Sequence, residues 1–371
     1  MRKNIIKLMR KSLILRLLIR KIYYLYRKII CMKYYFLKIN NKLIFFESYM
    51  GRSYSCSPKA IYLELLKNPK YKDYKFVWSF KKIGNNKLNK RTTSVKYKTK
   101  EYYKNISRAK YIISNSRLPE EFKKKKKQIY LQTWHGTPFK RIGYDIVENT
   151  ENALNTKKEM MRKYKIEERK FNYILSSCSY VTKVLKSSFN IRDDKKILEL
   201  GYPRNDILFD KINKEKIKNK YNIPLNKKII LYVPTWRDNQ YDNNIGYVYR
   251  TNIDFNYLKE NLEDYIILYR KHYFIKNDID LLEYIDFVYD VSDIDDINDL
   301  YMISDIMITD YSSAFFDYTI LEKPIIFYMY DLDYYSNNLR GFYLDFNELP
   351  GDIVEKEEEI LRIIDNLELY T

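Results

Sequence analysis

The chain of 371 residues contains only two histidines, His135 and His272. Each follows a short apolar run typical of a strand, at residues 129–133 and 264–269. A neutral imidazole can take a proton from an attacking hydroxyl or contact a phosphate oxygen. A structural histidine is the alternative for either one alone. One histidine in each half of the chain, at the same position after a strand, favours a shared site between two domains.

Residues close to His135 could assist such a site. Gly136 lets the backbone turn sharply or pass close to a ligand. Lys140 and Arg141 lie within reach of an anionic group, although a solvated surface pair fits them equally well.

A second candidate is the segment SDIMITDYSSAFFDYTILEKPIIFY at residues 304–328. A predicted strand ends at Thr309, and Asp310, Ser312 and Ser313 offer N-cap chemistry to a helix predicted at 313–321. A helix start after a strand is a ready phosphate site, and Asp317 could bond a ribose or alcohol hydroxyl. Ordinary capping in a crossover unit is the alternative.

Two further loops follow predicted strands. In LYVPTWRD, residues 231–238, Arg237 suits a phosphate and Trp236 could border a base. The segment GRSYSCSPKAIY, residues 51–62, leads into a helix and could hold an acceptor group or serve only as a first crossover.

Several classes of protein lose support. Cys31, Cys56 and Cys178 lack the spacing of a disulfide framework or a zinc site. The acidic stretch 290–299 lacks the spacing of a calcium loop, so we predict no metal site. Without GxxxxGK[ST], GxGxxG after a strand, or GxSxG, a nucleotide hydrolase, a dehydrogenase and a serine hydrolase are disfavoured.

The predicted elements form two series of strands alternating with helices, which indicates an α/β protein with two Rossmann-like domains. Helices are predicted at 58–66 and 100–109. We expect domains at 42–205 and 206–355, a basic segment at 1–41 and a last helix at 356–371. The predicted strands span residues 43–47, 75–80, 111–114, 129–133, 171–176, 196–199, 228–233, 264–269, 285–290, 305–309 and 324–328.

The net charge of +20 is concentrated at the N-terminus, where residues 1–46 hold 13 Lys or Arg and no Asp or Glu. Residues 4–30 alternate cations with apolar residues, without the run of about 20 that spans a bilayer. An amphipathic helix on an anionic membrane is favoured. A helix packed on the protein's own core and a nucleic-acid arm are the alternatives.

The motifs resemble those of the CDP-glycerol glycerophosphotransferase family, the primases and polymerases of teichoic acid and related capsule polymers. They occur in order from residue 51 to 346. The matching segments are GRSYSCSPKAIY, YIISNSRLP, QTWHGTPFKRIGYD, LGYPRND, ILYVPTWRD, LYRKH, ITDYSSAFFDYTILEKPIIFY and RGFYLDF.

This resemblance implies a GT-B-like fold, with two Rossmann-like domains facing a central cleft, the acceptor at the N-terminal one and the donor at the C-terminal one. It implies His135 as the catalytic base and His272 as a second catalytic residue that contacts the donor pyrophosphate. Gly136, Lys140 and Arg141 are assigned to the acceptor side. The donor and phosphate residues implied are Thr235, Arg237, Arg270, Ser312, Ser313 and Asp317.

The expected reaction moves a polyol phosphate, glycerol or ribitol, from a CDP-linked donor to a lipid-linked glycan, without a tightly bound cofactor. We expect a peripheral protein on the cytoplasmic face of an anionic membrane, with no nucleic-acid partner. Two alternatives remain, a nucleotide-sugar glycosyltransferase of the same architecture and a non-catalytic binding module.

Overall fold

A computed structural model describes residues 13–84, 88–146, 157–211, 213–235, 241–242, 246–247, 252–272, 275, 281–333 and 341–368. The chain forms two compact units. The first contains Met1–His135 and Met161–Arg204, and the second contains Gly136–Met160 and Asn205–Thr371. The segment after His135, which the sequence placed in the N-terminal domain, therefore groups with the second unit.

The first unit is built on a seven-stranded parallel sheet in the order β3-β2-β1-β4-β5-β6-β7. The chain fills one side outward from β1 and then restarts at β4, which is the Rossmann order. The strands are β1 (Asn40–Glu47), β2 (Lys75–Phe80), β3 (Thr92–Lys96), β4 (Ala109–Ser114), β5 (Ile129–Gln132), β6 (Tyr173–Ser176) and β7 (Ile197–Glu199). The helices are α1 (Leu13–Tyr35), α2 (Cys56–Lys67), α3 (Lys100–Arg108), α4 (Lys157–Glu168) and α5 (Ser179–Ser188), of which α4 begins in the second unit and enters the first at Met161.

The second unit repeats this plan with a six-stranded parallel sheet in the order β12-β11-β8-β13-β14-β15. A two-stranded antiparallel pair, β9 (Tyr241–Asp242) and β10 (Gly246–Tyr247), stands apart from it. The sheet strands are β8 (Lys228–Val233), β11 (Tyr265–Tyr269), β12 (Val288–Asp290), β13 (Ile306–Thr309), β14 (Ile325–Tyr328) and β15 (Asp352–Val354). The helices are α6 (Lys214–Lys220), α7 (Phe255–Asn261), α8 (Ile297–Ile303), α9 (Ala314–Tyr318) and α10 (Glu357–Glu368).

Burial on both faces explains why the central strands were readable from sequence. Every residue of β11 is buried, and all of β8 except its first residue is buried. Apolar side chains are therefore required at consecutive positions. Each predicted strand is present, within three residues of its predicted limits.

Residues 1–12 of the basic N-terminal segment lie outside the described residues, and the rest of it contains helix α1, which packs against α3 in the first unit. Arg27 donates to the hydroxyl of Tyr103 at 3.2 Å and lies 3.7 Å from the carboxylate of Glu121. Cys31, one turn later, is buried. In the part of the chain that the structure describes, no helix is long and apolar enough to cross a bilayer.

One buried acid stands out in the first unit. Glu47 ends β1 with its side chain fully buried, and neither carboxylate oxygen has a hydrogen-bond partner among the described residues. Burial raises the pKa of Glu47 to about 7, and the nearby hydroxyls of Ser79 and Tyr102 oppose this only in part. Glu47 is therefore protonated in the folded protein over a pH range where the unfolded chain ionises it.

Glu47→Gln is expected to weaken the pH dependence of stability. The bound proton stabilises the fold fully below pH 4.5, and this contribution is lost as the pH rises through about 7. The shift of the Glu47 pKa from 4.5 to about 7 corresponds to roughly 3 kcal/mol in the free energy of unfolding. Denaturant unfolding at pH 5 and pH 8 should show a smaller loss in Glu47→Gln than in the wild type. Exposed Glu64→Gln is the control, and an equal loss in Glu47→Gln would contradict the prediction.

Candidate functional site

His135 lies three residues beyond the end of β5, at the carboxyl edge of the first sheet. Its Nδ1 is 2.6 Å from the main-chain carbonyl oxygen of Asn115. A carbonyl can only accept, so Nδ1 must carry the proton. The neutral ring then has its lone pair on Nε2, which is the atom available to act as a base.

The surroundings of His135 keep the ring neutral. Desolvation by the surrounding protein lowers its pKa, and the positive charges of Arg204 and Arg117 lower it further, while the hydrogen bond to Asn115 opposes them. The residue is nevertheless exposed to solvent. Because water screens the ring, the pKa falls less than it would in an enclosed pocket. The imidazole is therefore unprotonated at neutral pH.

Two aromatic rings flank His135. The ring of Trp134 lies 4.4 Å from the imidazole and that of Tyr49 lies 5.9 Å from it, measured between centroids. Trp134 has a φ of 53°, a left-handed conformation that is uncommon for a bulky residue. Such conformations cluster at functional sites.

In the second unit, β8 and β13 are neighbours at the point where the strand order reverses, which is where α/β sheets bind ligands. Asp310, which follows β13, accepts hydrogen bonds from the amide and the hydroxyl of Thr235, at 2.9 and 2.6 Å. Both residues are buried. The N-cap role predicted for Asp310 was wrong, because its carboxylate joins the ends of the two strands.

The predicted helix at 313–321 is shorter than expected, since α9 ends at Tyr318 and a 3₁₀ turn covers Thr319–Leu321. Ser313 is the N-cap, but its side chain makes no capping hydrogen bond. Ser312 accepts from the amide of Ala314 at 3.2 Å. Ser312 and Ser313 therefore lie at the start of α9, where the N-cap side chain makes no hydrogen bond to the first turn.

Gly136 lies beside this helix start. A Cβ added to Gly136 would come 3.2 Å from the hydroxyl oxygen of Ser313, so the serine side chain would have to shift slightly to admit a larger residue. Gly136 directly follows His135 in the chain. The domains predicted from the sequence put Gly136 in the N-terminal domain and Ser313 in the C-terminal domain. The structure places Gly136 and Ser313 in the same unit.

The segment after Gly136 is fastened to residues 341–343. Arg141 donates from its amide to Gly341 and from Nε to Phe342, at 3.0 and 3.1 Å. The ammonium of Lys140 lies 5.9 Å from the ring centroid of Tyr311. The two cations predicted for the acceptor side thus contact residues of the second unit.

Phe139 anchors the same segment in the core. It is 1% exposed and belongs to the cluster on one face of the second sheet. Its ring contacts those of Phe315, Phe316, Phe342 and Phe346 at centroid distances of 4.7 to 6.4 Å.

Arg270 and His272 follow β11, which is next to β8 in the second sheet. One guanidinium nitrogen of Arg270 donates to the carbonyls of Val291 and Ile294, at 3.1 and 2.6 Å. The arginine is thereby held in place at the carboxyl edge. His272 is partly buried, and its carbonyl accepts from the amide of Ile275. The second sheet thus brings His272, Arg270, Thr235 and the two serines to one edge.

Asp317 is buried and accepts a hydrogen bond from Asn205 at 2.8 Å. Arg237 and Trp236 lie outside the described residues. Sequence reasoning missed Asn115 and Asn205, although both stand within the motifs NSRLP and GYPRND. A polar residue directly after a buried strand was the available signal for Asn115.

Comparison with known proteins covers nearly the whole chain. Residues 29–370 match the model of the family described as CDP-Glycerol:Poly(glycerophosphate) glycerophosphotransferase. A teichoic acid poly(glycerol phosphate) polymerase of Bacillus spizizenii is 40% identical, over 89% of this chain and 85% of that protein. One of Staphylococcus epidermidis is also 40% identical over 89% of this chain, but the chain spans only 46% of its length.

The solved structure of the wall teichoic acid polymerase TagF superimposes with a TM-score of 0.84 at 38% identity, over 94% of this chain and 87% of that one. The GT-B-like architecture of two Rossmann-like domains and the resemblance derived from the motifs are confirmed. The chain belongs to the CDP-glycerol:poly(glycerophosphate) glycerophosphotransferase family.

Proposed function

We propose that this protein transfers glycerol phosphate from CDP-glycerol to a hydroxyl of a lipid-linked glycan or growing teichoic acid, with release of CMP. Glycerol is favoured over ribitol because the relatives at 40% identity are poly(glycerol phosphate) polymerases. The observation that carries the proposal is the hydrogen bond from Nδ1 of His135 to Asn115, which leaves Nε2 as a base.

The proposed reaction is an in-line displacement at phosphorus. Nε2 of His135 takes the proton of the acceptor hydroxyl as its oxygen attacks the phosphorus that bears glycerol. The bond from this phosphorus to the bridging oxygen breaks, and CMP leaves with that oxygen. Negative charge builds on the leaving phosphate, where fixed positive groups and hydrogen-bond donors stabilise it.

The second unit supplies those donors in this proposal. Ser312, Ser313 and the start of α9 hold phosphate oxygens, together with Arg270 and His272. Thr235 and Arg237 complete the phosphate site, and Asp317 binds a hydroxyl of the ribose or the glycerol. Gly136 and Ser313 approach each other within the second unit, which supports a role for the segment that starts at Gly136 next to the proposed phosphate site.

A donor screen tests the reaction class. The protein is incubated with a synthetic lipid-linked disaccharide and, in separate reactions, CDP-glycerol, CDP-ribitol or UDP-sugars. We expect CMP release with CDP-glycerol and growth of the acceptor by one or more glycerol phosphates, detected by mass. UDP release from a UDP-sugar would instead establish the nucleotide-sugar glycosyltransferase, and no turnover with any donor would favour a binding module.

We also propose that α1 holds the protein on an anionic membrane. Six apolar residues, each at least 47% exposed, recur at intervals of four and three residues and so lie on one helix face. They are Leu18, Ile22, Leu25, Ile29, Met32 and Phe36, the last just beyond the helix end. Exposed Lys21, Lys28 and Lys33 flank this stripe, while Arg27 and Cys31 occupy the face that packs on the first unit. An apolar stripe between cations suits an anionic bilayer surface.

The double variant Ile22→Glu/Ile29→Glu is expected to lose binding to anionic lipid vesicles by about tenfold or more, because two carboxylates enter the apolar stripe. Co-sedimentation with phosphatidylglycerol vesicles measures it. Leu200→Glu, which changes a 77% exposed leucine elsewhere in the same unit, is the matched control. Unchanged vesicle binding in the double variant would contradict the membrane role. So would a double variant that loses self-association and keeps its vesicle binding.

A further inference from the structure

Two buried residues with amide side chains, Asn115 and Gln132, contact His135 or its neighbours. Asn115 directly follows β4 and Gln132 ends β5, and the two strands are neighbours, with Ser114 opposite Gln132. Both side chains are fully buried. They lie at the carboxyl edge of the first sheet, where His135 lies.

Asn115 contacts both the imidazole of His135 and the loop at Tyr49 that borders it. Its carbonyl oxygen accepts the Nδ1 proton of the imidazole at 2.6 Å. Its side-chain Oδ1 accepts from the amide of Tyr49 at 2.7 Å and from the hydroxyl of Ser116 at 3.1 Å. The ring of Tyr49 in turn contacts the imidazole. A single residue thus fixes the tautomer of His135 and the loop that borders it.

Gln132 fixes the residue that precedes His135. Its Oε1 accepts from the amide of Trp134 at 3.0 Å. Its Nε2 donates to the hydroxyl of Tyr130 at 2.8 Å and to the buried carboxylate of Glu167 at 3.1 Å. Because this carboxylate also accepts from Tyr130 and from the amide of Leu118, the nitrogen end of the Gln132 amide must face it. The oxygen end is therefore directed at Trp134.

The two amides share one feature. Each holds the N–H group of a residue in a left-handed conformation, Tyr49 with a φ of 47° and Trp134 with a φ of 53°. This conformation is unfavourable for residues with a side chain, and it persists only where the surroundings determine it. The side-chain oxygens of Asn115 and Gln132 therefore stabilise two left-handed backbone turns next to the imidazole of His135.

We propose that Asn115 and Gln132 are positioning residues, which hold the imidazole of His135 with Nε2 directed at the acceptor hydroxyl. The inference rests on the proposed function, in which His135 is the general base. It assigns a task in the reaction to buried residues that contact neither donor nor acceptor. Their loss is expected to slow the chemical step and to leave donor binding intact.

The test compares Asn115→Ala and Gln132→Ala with Asn172→Ala. The amide oxygen of Asn172 also accepts from a main-chain N–H, that of Tyr130 at 2.9 Å. Tyr130 lies near the amino end of β5, the strand that Gln132 ends. Removal of the first two amides should lower kcat for CMP release by about tenfold or more, since small displacements of a catalytic group are costly. The KM for CDP-glycerol should stay within about twofold. Asn172→Ala should lower the melting temperature with kcat within about twofold.

Asn115→Asp adds a readout of the base itself, the pH–rate profile. The aspartate keeps an acceptor oxygen for the amide of Tyr49, so the variant should fold. Its negative charge favours the imidazolium, which should move the acid limb of the pH–rate profile to higher pH. Arg204 and Arg117, the cations that act on His135, are unchanged. Asn172→Asp, at the other end of the strand, should leave the acid limb in place.

His135→Ala is measured in parallel so that the two ideas can be separated. If it is inactive while Asn115→Ala and Gln132→Ala turn over as fast as Asn172→Ala, the positioning inference is overturned and the proposed function stands. An acid limb that does not move in Asn115→Asp also overturns the inference. Full turnover in His135→Ala overturns the role of His135 and the inference with it.

Discussion

His135→Ala is expected to lower kcat for CMP release by about 10²-fold or more, because the acceptor hydroxyl loses the group that takes its proton. With Nδ1 committed to the carbonyl of Asn115, the ring has one nitrogen left for this task. Single-turnover measurements at saturating CDP-glycerol report the chemical step without donor binding. A rate within a few-fold of the wild type would remove His135 from the role of base.

The pattern of kcat and binding separates the two histidines. His135→Ala should bind CDP-glycerol with nearly the wild-type Kd in calorimetry, since the proposed donor site lies in the second unit. His272→Ala should weaken donor binding, because the proposed contact is with the pyrophosphate. Weaker donor binding in His135→Ala, with an unchanged rate at saturation, would reverse the two assignments.

The pH dependence follows from the same geometry. The base must be unprotonated to act, and its surroundings lower the pKa of His135 below the ordinary 6.5. The active form therefore persists at more acidic pH than it would for a solvated histidine. The acid limb of kcat/KM should lie below pH 6.5.

The second large effect is expected from Phe139→Ala, which should lower the free energy of unfolding by about 3–5 kcal/mol. The ring is buried among four other phenylalanines, so its removal leaves a cavity that rigid neighbours cannot fill. Urea unfolding followed by tryptophan fluorescence and circular dichroism measures the loss. A change below about 1 kcal/mol would contradict this packing.

Phe255→Ala is the matched control for Phe139→Ala. Phe255 is 2% exposed and belongs to the cluster on the other face of the same sheet. Both variants should lose stability, but only Phe139→Ala alters the segment that begins directly after His135. At a temperature where both are folded, Phe139→Ala should therefore lose more activity than Phe255→Ala. Equal activity in the two variants would show that the packing of Phe139 does not affect the site.

Local sequence patterns predicted the elements whose environment is uniform along their length. β8 and β11 are buried on both faces, and that requirement appears in the sequence as consecutive apolar residues. β3 was missed because it is an edge strand with a single buried residue, and its sequence TTSVK carries no apolar run. β15 was also missed. It is an edge strand of the second sheet, it is short, and only one of its residues is buried.

The candidate site residues were selected for the same reason. Residues that follow buried strands could be identified in the sequence, and His135, Ser312 and Ser313 were proposed this way. Their partners could not be identified. Thr235 and Asp310 are 75 residues apart and meet only because β8 and β13 are adjacent in the sheet.

The amino-acid sequence alone determined the strand–helix alternation, the cationic N-terminal helix and the motifs that mark the family, because these depend on residue type and short-range spacing. The tertiary structure decided that the segment after His135 packs in the second unit through Phe139. It also decided that Asn115 fixes the tautomer of the imidazole. Both depend on contacts between residues distant in the chain, which form only when each sheet has assembled.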